Sequence, residues 1–110
     1  MTTPCMAGAL SFAVRSLPQP PSVGVLEFRL DATNTAGAPV TGLEIGVVPW
    51  MPSMRHGSPV PPSVTDMGDG SYLVENVDLT MVGDWQLQLT LSGAMSGSCN
   101  LEFSVAPSPD

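Results

Sequence analysis

Gly83-Asp84-Trp85-Gln86-Leu87-Gln88-Leu89-Thr90-Leu91 is the stretch whose reading decides the fold. Trp85, Leu87, Leu89 and Leu91 share one parity, and Gln86, Gln88 and Thr90 share the other. Successive side chains of a strand point to opposite faces, so this period of two describes a strand with one face in a core and one in solvent. One solvated face is the mark of an antiparallel sheet.

The same pattern recurs on both sides of it. Ala9–Ser16 alternates with Leu10, Phe12 and Val14 on one face, and Val23–Ala32 places Leu26, Phe28 and Leu30 inward against Glu27, Arg29 and Asp31. Gly42–Val48 turns Leu43, Ile45 and Val47 inward. Ser63–Met67 and Ser71–Val77 form a hairpin about Gly68-Asp69-Gly70, with Tyr72 in the core. The last strand places Cys99, Leu101, Phe103 and Val105 inward. Between these runs lie Leu17–Ser22, whose Pro18, Pro20 and Pro21 cannot continue a ladder, the turn Asn34-Thr35-Ala36-Gly37, and the Gly-rich segment Ser92–Ser98. Ala106–Asp110 reads as a frayed tail. About seven short strands with no helical period predict an all-β, antiparallel, immunoglobulin-like two-sheet sandwich, with a small barrel as the alternative.

Length and charge narrow the function classes. The 110 residues make a single domain, 1–110, able to bury a core of its own. Three basic residues, Arg15, Arg29 and Arg55, stand scattered against ten acidic ones for a net charge of −7, which argues against nucleic acid as a partner. No apolar run reaches the roughly 18 residues of a membrane span. Residues 1–20 lack a basic start followed by an apolar run, so no signal peptide is read there.

The two cysteines, Cys5 and Cys99, have neither redox-motif nor zinc spacing. A disulfide is the plain reading and implies an oxidising compartment, periplasmic or extracellular. A lipid-bearing Cys5 and a metal-ligating Cys5 are the alternatives.

Chemistry concentrates in Trp50-Met51-Pro52-Ser53-Met54-Arg55-His56-Gly57, which holds the sole histidine and two thioethers. Thioether sulfur suits Cu(I), and imidazole accepts copper in either oxidation state. Met51, Met54 and His56 are therefore candidate copper ligands, with Cu(I) favoured and Cu(II) possible. The alternative is that Met51 and Met54 fill gaps at the edge of a core. Met81, just before the Trp85 strand, is a candidate fourth ligand, with core packing as its alternative; Met6, Met67 and Met95 have no spacing that singles them out. Trp50 either shields the metal or caps the core. Catalysis finds little support: no histidine stands beside a cysteine, no serine sits in a nucleophile elbow, and Asp66 and Asp69 read as turn residues rather than calcium ligands. The expectation is a binding protein and not an enzyme.

These residues also carry a resemblance. The runs PWMPSMRHGSP, PSVTDMGDGSYLVENVDLTM and GDWQLQL, between Val47 and Leu91, resemble the YtkA-like family, similar in turn to FixH-type exported bacterial domains. The family pattern has a Met-Pro pair, a metal-capable residue and His-Gly, then Gly-x-Tyr, then Met-Pro-Gly-x-Trp. The matching positions are Met51, Pro52, Met54, His56 and Gly57, then Gly70 and Tyr72, then Met81, Gly83 and Trp85. Arg55 stands where the family usually has glycine, and Val82 replaces the proline. The resemblance implies an exported immunoglobulin-like domain linked to copper handling, with a copper donor or acceptor protein as partner; a non-metal interaction module of a cell-envelope assembly is the reading from another class.

Overall fold

The alternation at residues 83–91 produces a central strand with neighbours on both sides. The computed structural model describes residues 2–5, 8–17, 19–57 and 61–107. Among them nine strands form: β1 (Thr2–Cys5), β2 (Leu10–Leu17), β3 (Gly24–Asn34), β4 (Leu43–Met51), β5 (His56–Gly57), β6 (Ser63–Asp66), β7 (Ser71–Leu79), β8 (Gly83–Gly93) and β9 (Gly97–Val105). They make two antiparallel sheets, in the orders β1-β2-β3-β7-β6 and β5-β4-β8-β9. The order β2-β3-β7-β6 facing β4-β8-β9 is that of an immunoglobulin sandwich, with β1 and β5 added at edges. Two sheets that each keep their own edge strands exclude the barrel.

Nine strands replace the seven expected, for identifiable reasons. β1 carries no apolar alternation, and it is strand only because Thr2–Cys5 pairs with residues 10–13 of β2. β5 is two residues long, below any periodicity, and exists by pairing with the end of β4. Ala106 is also not part of a frayed tail: its N–H donates to Pro21 O and its carbonyl accepts from Val23 N–H, each at 3.0 Å. Pro18, Pro59, Met6 and positions 108–110 lie outside the described residues.

The core is the set that shared parity selected. Phe12, Leu26, Phe28, Leu30, Val47, Tyr72, Trp85, Leu87, Leu89 and Leu101 are buried, and Ile45 and Phe103 pack against them half-buried. Phe28 and Phe103 meet across the sheets at 5.1 Å in a tilted arrangement. Tyr72 ties β7 to the crossover that carries the chain from β3 to β4. Its hydroxyl donates to Val40 O at 2.9 Å and accepts from Leu43 N–H at 3.1 Å, and burial pushes its pKa above the ordinary value. The hairpin turn between β6 and β7 uses its aspartates as read: Asp66 accepts from Gly68 N–H at 2.8 Å and Asp69 from Ser71 N–H at 3.1 Å. The Ser71 hydroxyl and N–H hold the Asp69 carboxyl below its ordinary range.

Cys5 and Cys99 form the disulfide, with Cα atoms 5.6 Å apart across 94 residues of sequence. It joins β1 of one sheet to β9 of the other, and both rival readings of Cys5 fall with it.

Candidate metal centre

β4 does not stop at Val48. Its inward parity runs on through Pro49 to Met51, which is 3% exposed and part of the core cluster. The chain then reverses through Pro52–Arg55: Met54 N–H donates to Met51 O at 3.2 Å, and Arg55 N–H to Pro52 O at 3.3 Å. Arg55 closes the turn with φ of 52°, the left-handed region that penalises a Cβ. A glycine at this position would escape that cost.

The returning β5 pairs Gly57 with Trp50 and His56 with Met51. Directly opposed residues in an antiparallel pair share a face, so the imidazole and the Met51 side chain stand on the same side of the hairpin. Trp50, of opposite parity, lies on the other face and covers Gly57. A Cβ at Gly57 would come within 2.7 Å of Pro49 O and 3.3 Å of Trp50 Cε3, which is why glycine follows the histidine. Trp50 thus shields the back of the hairpin and does not stand over His56.

The antiparallel register of β4 with β8 puts the end of one beside the start of the other, Trp50 opposite Gln86. The segment between β7 and β8 is thereby brought against the hairpin. The result is the central contact: His56 Nε2 lies 3.3 Å from Met81 Sδ. His56 Nδ1 faces Gly57 O at 3.3 Å. With the proton on Nδ1 the ring donates to that carbonyl and turns its Nε2 lone pair toward the sulfur; with the proton on Nε2 it donates to the sulfur instead. Beneath, the Met51 methyl occupies the place of the missing Gly83 side chain; a Cβ there would lie 2.5 Å from Met51 Cε. Trp85, 1% exposed, donates its indole N–H to Met81 O at 2.9 Å and meets the His56 ring edge-on at 5.9 Å.

The expected four residues thus occupy three environments. His56 and Met81 come together, with Met81 39% exposed; Met51 lies below them in the core; Met54, 52% exposed, sits in the turn with its side chain toward solvent. Met51 packs into the core from the face of the hairpin that also carries His56. Arg55 is exposed, so its long side chain can hold the guanidinium in solvent. Sequence reasoning placed Trp85 in the core but missed its contacts to Met81 and His56; the Gly-x-Trp spacing after Met81 is the signal that could have pointed there.

The 3.3 Å between Nε2 and Sδ is a hydrogen-bond contact, and it is also short enough for one ion to reach both atoms. With metal–nitrogen and metal–sulfur bonds of about 2.0 and 2.3 Å, as in zinc sites, a 3.3 Å separation corresponds to an N–metal–S angle of about 100°. Among the described residues no three of His, Cys, Asp and Glu come together to hold a metal. A cleft of about 530 Å³ nearby shares Pro52 and Trp85 with the corner, but none of the candidate donors lines it.

The chain matches the family model described as YtkA-like over residues 7–90, and it belongs to that family. No match to a curated protein or to a solved structure was found.

Proposed function

We propose that this member of the YtkA-like family is an exported copper-binding protein, a carrier or chaperone, that holds one copper ion at the corner formed by the β4–β5 hairpin and the β7–β8 loop. The observation that carries the reading is the His56 Nε2 to Met81 Sδ distance of 3.3 Å, between residues 25 apart in sequence. His56 and Met81 are the primary donors, Met51 a third from below, and Met54 an outer donor that the turn can swing inward. Thioethers make the set soft and favour Cu(I); the imidazole also accepts Cu(II). Copper is cargo in this reading, and no residue is assigned a catalytic task.

The disulfide supports export, because such a bond persists in an oxidising compartment and is rare in the cytosol. A copper donor or acceptor protein is the partner this role requires, and the partly exposed donors suit exchange between proteins.

One observation favours a second reading, the non-metal interaction module. Tyr72 and Met51 both have full structural employment, one clamping the crossover and the other filling the core beneath Gly83. The test is a Cu(I) competition titration on the parent and on His56→Ala and Met81→Ala. Stoichiometric uptake that both substitutions weaken supports the copper reading; negligible uptake by the parent hands the protein to the module reading.

A further inference from the structure

Trp85 is more than a core filler. It is locked by packing at 1% exposure, and the one polar atom of its side chain is spent outside the core, on the carbonyl of Met81 at 2.9 Å. A buried indole N–H needs an acceptor, and here that need fixes the loop that carries a candidate ligand. Between Leu79 and Gly83 the loop is short and exposed, with Val82 53% and Met81 39% open to solvent, so little else packs it down. The same ring meets the His56 imidazole edge-on, its centroid 5.9 Å away and its plane at 80°. Two donors from different loops therefore touch a single rigid side chain.

Resting on the copper reading, we infer that Trp85 is the positioning residue of the centre: it sets the Met81 arm through its N–H and orients the His56 ring through its edge. The two arms depend on it unequally. His56 is also held by the β4–β5 register and by Gly57 O, whereas the Met81 backbone is held by the indole. Removing the indole N–H loosens the soft sulfur arm and leaves the imidazole in place, so Trp85 acts as a determinant of Cu(I) over Cu(II).

The test uses Trp85→Phe and, because the smaller ring leaves a cavity, an isosteric benzothienyl side chain at position 85 that deletes only the N–H. Cu(I) and Cu(II) affinities are measured by competition on the full chain, with circular dichroism on the same samples. The benzothienyl protein should stay folded and lose about 10- to 100-fold in Cu(I) affinity, the usual range for a group that orients a metal ligand. Its Cu(II) affinity should be unchanged. Equal Cu(I) affinity in the parent and the benzothienyl protein overturns the inference and leaves the copper reading standing. Equal losses for both ions assign Trp85 a purely structural role and overturn it as well. A parent that takes up no Cu(I) overturns the copper reading and the inference with it.

Discussion

Nε2 of His56 and Sδ of Met81 approach to 3.3 Å because β4 and β8 are antiparallel neighbours, so that the turn leaving one strand meets the loop entering the other. The contact belongs to the fold as much as to either loop. Any change that shifts the β4–β8 register must part the two side chains.

Trp85→Ala is accordingly expected to damage both stability and site. Truncating a fully buried large aromatic costs about 3 to 5 kcal/mol, and here the cavity opens under Met81 and His56. Chemical denaturation measures it; an unchanged midpoint would show that Trp85 is not part of the core.

Arg55→Gly should stabilise the hairpin. A non-glycine residue in the left-handed region costs roughly 1 to 2 kcal/mol, of which the greater unfolded-state freedom of glycine returns about 0.5 to 1 kcal/mol. The net gain of a few tenths to about 1 kcal/mol should appear as a higher denaturant midpoint with an unchanged slope. Removing the cation should also raise copper affinity, most at low ionic strength.

Tyr72→Phe leaves the buried Leu43 N–H and Val40 O short of a partner, at a cost of about 1 to 3 kcal/mol. The parent carries an alkaline signature of the same group. Burial raises the phenol pKa above its ordinary value of 10.0, so the folded state favours the neutral form. That contribution is complete below the unfolded pKa and is lost as the pH rises through the folded one. Stability should fall at alkaline pH in the parent and fall less in Tyr72→Phe, followed by phenolate absorbance and denaturation together.

Reducing the Cys5–Cys99 bond should cost about 4 to 5 kcal/mol, the chain-entropy value for a loop of this length. Intact mass before and after reduction verifies the bond, and denaturation of the alkylated protein measures its weight. A mass unchanged by reduction would contradict it.

How much of this was legible in the sequence depended on period and on partners. Trp85, Leu87, Leu89 and Leu91 declared a half-buried strand by parity alone, and the other core strands followed the same rule. Met51 obeys it too, two positions beyond Pro49, but a proline inside a strand is a signal of its end. β1 and β5 are strands only by virtue of what they pair with, and pairing is not written in four or two residues. The soft-donor composition of the site was legible. The meeting of His56 with Met81 was not, because it depends on the order β5-β4-β8, which alternation leaves undetermined.

The most direct measurement of the central claim is Cu(I) uptake against a competing chelator, on the parent, His56→Ala and Met81→Ala, at neutral and at acid pH. The account predicts one copper ion per chain, weakened by either substitution. A parent that competes no better than His56→Ala and Met81→Ala at either pH would contradict it.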